Sequence, residues 1–254
     1  MTEPNKREQD LFKEKLLCHE CEQSFSKLEK YFAEVIFYPF VNEDKQIFEY
    51  DERLKKFIIS VQWRMGIAEW RGKERPSFAK RIFLKKFINS ARLYLLEKVE
   101  DISYEQHLIF FGEISSMPQD QVPPRFHQYL LRSVDATLVS DVKKRIVPKT
   151  IYNFIKLPHM AFVSFIKPKS NSKWVGTRIE NVGILDAKQE IRDGSFGRFL
   201  IDRARMVNDV FKSGISLSQI EKITRSATKD LSKFAKSKTF DAYKADKKIG
   251  SKYD

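Results

Sequence analysis

Both cysteines of the chain lie in the stretch Glu14-Lys15-Leu16-Leu17-Cys18-His19-Glu20-Cys21-Glu22-Gln23-Ser24-Phe25-Ser26-Lys27. The C-x2-C spacing lets two thiolates converge on one tetrahedral ion, and the backbone N–H groups of a tight turn support the sulfurs. The apolar pair Leu16-Leu17 precedes the cysteines, and an apolar helical face begins at Phe25. The pattern therefore predicts a strand, a zinc-knuckle-like turn and a helix, with Cys18 and Cys21 as zinc ligands.

The expected zinc site is incomplete, because a structural zinc ion takes four ligands and the chain has one C-x2-C pair. The missing ligands would have to come from His107, His127 or His159, and none of these has metal-site spacing with another. We therefore expect low zinc occupancy in this chain. The alternative is that the cysteines are two ordinary residues in an exposed turn.

The motif Leu-Leu-Cys-x-x-Cys-Glu over 16–22, followed by Phe-Ser-Lys-x-Glu-x-Tyr-Phe over 25–32, resembles a bacterial family with an HNH-like (ββα-metal) zinc module at its N-terminus. The resemblance continues through 129–135, 174–179 and 202–204, and it would cover most of the chain. It implies a DNA-associated protein, in phage defence or on a mobile element.

In that family a first C-x2-C and a His-containing segment precede the knuckle, whereas Met1 of this chain falls inside the expected linker. A nuclease of this type needs a His as general base and a metal ion at the leaving oxygen. We therefore expect no catalysis by this chain and assign no catalytic residue. A metal-dependent endonuclease is expected only if the upstream half is restored.

The charge balance points to a polyanionic partner. The chain of 254 residues has 47 Lys and Arg against 34 Asp and Glu, giving a net charge of +13 and a pI of about 9.5. Such an excess is typical of proteins that bind nucleic acid, and we expect DNA, although charge does not separate DNA from RNA. The alternative is a non-catalytic interaction module for an acidic protein; a homo-oligomer also stays open.

Composition predicts a folded, helix-rich chain. Hydrophobic residues make up 42% of the sequence, with 21 Phe but only nine Gly and nine Pro. No apolar run approaches the roughly 18 residues of a membrane span, and no leader with a cleavage site is visible. We therefore expect a cytoplasmic protein with no membrane association.

The first half of the sequence has mostly helical periodicity. It predicts a helix over 22–37 that ends at Pro39, a second over 51–70 that forms the centre of a bundle, and a third over 77–99. In the third helix, Phe78, Ile82 and Phe87 are expected on the buried face. The apolar segment 108–114 fits either a short helix or a strand, and the prolines of 117–124 mark a boundary.

The second half begins with strand-like alternation and returns to helices. Strands are predicted over 132–139 and 150–157, and a hairpin over 160–166 and 174–179, with 182–185 extending its second strand. Helices follow over 196–214 and from a capping box at Ser216. The expected fold is α+β, with an N-terminal knuckle and helical bundle, a small antiparallel sheet and C-terminal helices. The expected segments are 1–37, 38–117 and 118–254.

Two basic regions are predicted to bind nucleic acid. The first is the turn of the hairpin, where cations could grip phosphates while the indole stacks on a base. Its residues are Lys167, Lys169, Lys173, Trp174 and Arg178. In the alternative interpretation, Trp174 covers the core beneath a solvated turn.

The second basic region is one face of the last predicted helix. Five cations fall within an arc of about 80° at 100° per residue, opposite an apolar stripe. They are Lys222, Arg225, Lys229, Lys233 and Lys236. The pattern predicts a surface that follows phosphates without reading sequence. The alternative is a solvated face with a frayed tail.

Overall fold

The computed structural model describes residues 16–72, 77–112, 122–140, 150–167, 174–214 and 217–250, and these form an α+β protein. The described residues fall into two compact units. The sheet unit is built from residues within 16–110 and 134–192. The helical unit is built from residues within 111–133 and 193–250. None of the helices in these ranges is long and apolar enough to cross a membrane.

Helix α3, Glu52–Arg71, lies at the centre of the sheet unit and confirms the helix predicted over 51–70. Asp51 is its N-cap and accepts a hydrogen bond from the backbone N–H of Arg53 at 3.0 Å, which satisfies one of the open donors of the first turn. Its apolar residues Leu54, Phe57 and Ile58 are buried. Because α3 packs against both helix α1, His19–Phe32, and the sheet, its apolar arc is wide.

The sheet beside α3 has four antiparallel strands in the order β2, β5, β4, β3. Strand β2 is Gln106–Phe110, β3 is Asp135–Ser140, β4 is Ile151–Leu157 and β5 is Met160–Lys167. A tight turn joins β4 to β5, so that Leu157 pairs with Met160. Seven of the eight residues of β5 are buried, as expected for a strand covered on both faces.

The hairpin predicted between 160–166 and 174–179 is wrong. Strand β6, Trp174–Val175, pairs instead with β8, Glu190–Ile191, and β7, Gly183–Asp186, pairs with β1, Ile47–Tyr50. Strand β5 cannot accept β6, because β2 and β4 already occupy both of its edges. The backbone groups at both edges of β5 are already paired, so none is open to β6. The local sequence pattern gives no information about this pairing.

The N-terminal helix does not end at Pro39. Helix α1, His19–Phe32, continues through a π-helical turn, Ala33–Phe37, into helix α2, Tyr38–Glu43. Pro39 directly follows the π-helical turn and lies in the first turn of α2 without ending the helical segment. The segment ends at Asp44, which has a φ of 53°. Residues 16–18 form no strand, and Cys21 lies in the first turn of α1 rather than in a separate knuckle.

Helix α4, Phe78–Leu95, packs against α3 and β5. Its buried face consists of Leu84, Phe87, Ala91 and Tyr94. The prediction that Phe78 and Ile82 belong to this face is wrong, since their exposed fractions are 81% and 44%. On a helical wheel both lie on the side opposite Leu84 and Phe87, and the core occupies only one side of the helix.

The described helices of the helical unit are α5, Phe126–Arg132; α6, Gly194–Gly214; α7, Leu217–Lys229; α8, Leu231–Ala235; and α9, Lys238–Gly250. Asp246 of α9 fixes the start of α5, because its carboxylate accepts the backbone N–H groups of His127 at 2.8 Å and Gln128 at 3.0 Å. These are donors that a helix start leaves open.

The prediction of a single helix carrying Lys222 through Lys236 is wrong, because the chain turns at Asp230. The backbone carbonyl of Asp230 accepts the N–H of Phe234, and its side chain accepts the hydroxyl of Ser232 at 3.0 Å. Asp230 therefore begins α8 as a cap, a position that aspartate favours over a helix interior.

Candidate nucleic-acid interface

Helix α4 is a cationic element without acidic residues. Between Ser77 and Leu96 the sequence contains no Asp or Glu, and it has five cations: Lys80, Arg81, Lys85, Lys86 and Arg92. No neighbouring carboxylate of the same helix can therefore neutralise this surface through i,i+3 or i,i+4 pairing.

The exposed side of α4 gathers most of these charges into one stripe, which we call the α4 face. At helical spacing it follows the side opposite the buried residues, and its charged members are exposed. Its residues are Phe78, Ile82, Lys85, Lys86, Asn89, Arg92 and Leu96. The stripe thus combines three cations, one amide and three apolar side chains.

The cations of the α4 face have no carboxylate partner within the part of the chain that the structure describes. Two cations of α3, by contrast, have carboxylate partners: Arg53 lies 2.6 Å from Asp51, and Lys56 lies 3.1 Å from a carboxylate oxygen of Glu97. The positive potential of the α4 face is therefore available to an external anion.

Lys167 of β5 and Arg81 of α4 add two cations to this region. The Nζ of Lys167 is 5.1 Å from the ring centroid of Phe83, which places this predicted site residue next to the helix. The guanidinium of Arg81 is 4.6 Å from the ring centroid of Trp70. Both contacts are within the range of cation–π attraction, which holds long side chains in place and leaves their charge intact.

The other residues of the predicted hairpin site are distributed differently. Trp174 is 7% exposed, and its ring packs against His107 and Phe165 with centroids 5.3 Å and 5.2 Å away. Arg178 is exposed, but its guanidinium lies 2.8 Å from Glu180. Lys169 and Lys173 lie outside the described residues. The structure therefore brings Lys167, but not Trp174, to an accessible cationic surface.

His107, beneath Trp174, is held neutral by its surroundings. Its side chain is 1% exposed, and Nδ1 lies 2.9 Å from the hydroxyl of Thr177. Burial lowers the pKa of His107 to about 4, and this outweighs the opposing effect of Glu105, whose carboxylate is 3.7 Å from Nε2. This buried neutral imidazole packs against Trp174, and the backbone of His107 pairs with that of Arg178 in an isolated antiparallel bridge.

The second predicted region retains part of its cationic arc. Lys222, Arg225 and Lys229 are exposed on α7, and Lys236 is exposed after the end of α8. Lys233 belongs to α8, but its side chain is not among those that the structure describes. The helical unit therefore carries its own exposed basic helix, shorter than the one predicted.

The predicted zinc ligands Cys18 and Cys21 stand together at the start of α1. Cys18 is the N-cap residue and its side chain makes no capping hydrogen bond. The nearby backbone N–H and thiol of Cys21 lower the pKa of Cys18. The same pairing raises the pKa of Cys21. Among the described residues, no third or fourth side chain joins them in a cluster of possible ligands. Zinc binding by this pair stays a prediction.

Comparisons with protein-family models, with curated proteins and with solved structures find no match for this chain. The HNH-like resemblance stays a prediction, and the proposed function depends on the geometry of the chain itself.

Sequence reasoning missed the α4 face, although a signal was present. The run from Ser77 to Leu96 is free of acidic residues, which is unusual in a chain with 34 of them. The prediction placed Phe78 and Ile82 in the core. Because Lys85 and Asn89 lie on the same side of α4 as these two residues, that side was not expected to face solvent.

Proposed function

We propose that the protein binds nucleic acid, and DNA in particular, by placing the α4 face against the phosphate backbone. The observation that carries this proposal is the exposed stripe of Lys85, Lys86 and Arg92 on a helix with no acidic residue. Phosphates attract such cations, and their condensed counterions are released on binding, which supplies most of the affinity of sequence-tolerant proteins.

The dimensions and rigidity of α4 fit this role. Eighteen helical residues extend about 27 Å, a length over which duplex DNA presents many phosphates on both strands. The buried side of the helix is held by Phe87 and Ala91, so its outer face is presented by a fixed element. A preorganised surface loses less conformational entropy on binding than a loop does.

The uncharged members of the face favour contact beyond phosphates. Phe78 offers an exposed aromatic ring, which can stack on an unpaired base, and Asn89 offers an amide that can pair with an adenine edge. Basic helix α7 provides a second phosphate-binding surface in the helical unit through Lys222, Arg225 and Lys229.

The experiment measures binding of the full chain to a fluorescently labelled DNA duplex, by anisotropy, at about 0.15 M salt. A variant carrying Lys85→Gln, Lys86→Gln and Arg92→Gln loses up to three phosphate contacts. With about 0.9 counterions released per contact and about 1 M salt as reference, the expected loss of affinity is on the order of a hundredfold. The loss should be similar for unrelated sequences, because phosphate contacts carry no base information.

The matched control removes the same charge from other elements of the sheet unit, with Lys27→Gln, Lys45→Gln and Lys188→Gln, all exposed in the structure. We expect it to weaken binding less than tenfold, through net charge alone. Equal losses in both variants would contradict a specific role for α4. Absence of wild-type binding to duplex DNA, single-stranded DNA and RNA would refute the function and leave an acidic protein as the partner to seek.

A further inference from the structure

The cysteine pair has the arrangement of a dithiol. Cys18 is the N-cap of α1 and Cys21 is the third residue of the helix, so their side chains lie on one face of its first turn. Cys18 is exposed and Cys21 is half-buried, and they are the only cysteines in the sequence.

Both cysteines line a pocket of about 340 Å³. Its walls are largely apolar, with Phe25 from α1, Trp63 from α3 and Leu95 from α4 among them. Arg92 supplies a cation at the same pocket. This volume is within the range of small-molecule sites, and apolar walls with one charged group favour a small organic anion.

We propose that Cys18 and Cys21 form a redox-active dithiol that reduces the disulfide of a small, carboxylate-bearing thiol compound held in this pocket. Arg92 would bind the carboxylate, and the apolar walls would hold the carbon skeleton next to Cys18. The exchange needs only the two sulfurs that the chain provides, whereas a tetrahedral zinc ion needs two further ligands that the described residues do not add.

The reaction takes place in two balanced steps. The sulfur of Cys18 attacks one sulfur of the bound disulfide, whose S–S bond breaks, and the first thiol leaves with a proton. The sulfur of Cys21 then attacks the sulfur of Cys18 in the mixed disulfide, forms the Cys18–Cys21 bond and releases the second thiol. Two cysteine thiols are oxidised, one disulfide is reduced to two thiols, and two electrons and two protons are transferred.

The first experiment treats the reduced full chain with glutathione disulfide and measures the intact mass after free thiols are alkylated. We expect a monomer that is lighter by two hydrogens and takes up no alkylating label, and that returns to two labels after reduction. A chain that instead accumulates stable glutathione adducts or disulfide-linked dimers would refute the proposal.

Single cysteine variants test the order of attack. Cys21→Ser should trap one glutathione on Cys18, because the second step is then impossible. Cys18→Ser should react about tenfold more slowly, since Cys21 is the less accessible sulfur. Equal rates in the two variants, matching that of a free small thiol, would show two independent cysteines and contradict an organised site.

The pocket is tested with Arg92→Gln and its control Lys27→Gln, an exposed cation of α1 that does not line the pocket. Arg92→Gln should slow the reaction with glutathione disulfide about tenfold, a loss typical of one ionic contact, and leave the reaction with uncharged bis(2-hydroxyethyl) disulfide unchanged. The control Lys27→Gln should react at the wild-type rate with both disulfides. Equal slowing by both disulfides in Arg92→Gln, or no slowing by either, would overturn the role of the pocket.

Discussion

Replacing Lys156 by Met should make the stability of the protein less dependent on pH. Lys156 lies on β4 and is wholly buried, opposite Asp135 of β3, which is 9% exposed. Its Nζ donates a hydrogen bond to the carbonyl of Leu157 at 3.4 Å. Burial lowers the pKa of Lys156 from its ordinary value of 10.5 to about 7, and the attraction of Asp135 offsets only part of this effect.

The magnitude follows from linkage between protonation and folding. Between about pH 7 and the ordinary pKa of lysine, the unfolded chain holds a proton on Lys156 that the folded chain has released. Unfolding takes up this proton, so the free energy of unfolding rises with pH by about 1.4 kcal/mol per pH unit from this site. Over the whole interval the contribution is about 5 kcal/mol, and below about pH 7 the folded protein carries the full penalty of a buried ammonium.

The assay compares urea unfolding of the wild type and Lys156→Met from about pH 7 to about pH 10, followed by tryptophan fluorescence. The stability difference between the two proteins should change by about 1.4 kcal/mol per pH unit, in favour of the wild type as pH rises. Lys156 is already neutral in the folded protein over most of this range, so the change in packing shifts the difference by a constant and leaves the slope unchanged. The exposed control Lys188→Met should give a flat difference, and a flat difference for Lys156→Met would refute the reasoning.

Asp246→Ala should lower the free energy of unfolding of the helical unit by about 1–2 kcal/mol, because α5 loses its capping carboxylate. The exposed control Asp241→Ala should cost less than about 1 kcal/mol, and equal losses would contradict the cap. Gly183→Ala should cost about 1–3 kcal/mol, since its Cβ would lie 2.8 Å from the Oη of Tyr50, whereas Gly194→Ala meets open space. If Gly183→Ala leaves the free energy of unfolding in urea unchanged, the Tyr50 side chain can move aside without cost and this prediction is wrong. The purified chain should hold well under one zinc per molecule, because Cys18 and Cys21 supply two of four ligands, and elemental analysis showing full zinc that Cys18→Ser abolishes would contradict this.

Elements with strong local signals were predictable. Helix α3 is defined by its capping aspartate and by an apolar arc that follows its twenty residues, and its structure differs from the prediction by one residue at each end. Strands β4 and β5 are rich in β-branched and aromatic residues and form as predicted. In each case local propensity and burial favour the same structure.

Elements that depend on distant partners were not predictable. Strand β1 has four residues and is formed by pairing with β7, far along the chain. Helix α5 has seven residues, and its first turn is capped by Asp246, 119 positions from His127. The start of a short helix that takes its cap from another element leaves no signal in its own sequence.

The candidate site was predictable in charge but not in place. The net charge of +13 indicated a cationic surface. The predicted positions followed a hairpin that does not form and a helix that turns at Asp230. Which side of α4 faces solvent is decided by its packing against α3 and β5, and that packing exposes Lys85, Lys86 and Arg92.

The most direct test of the account is the salt dependence of DNA binding by the wild type and the two triple variants. If the α4 face contacts phosphates, the slope of log affinity against log salt should flatten by about 2.7 in the variant with Gln at 85, 86 and 92, at about 0.9 per lost contact. The control variant with Gln at 27, 45 and 188 should keep the wild-type slope. The same slope in all three proteins would contradict the claim that α4 binds nucleic acid.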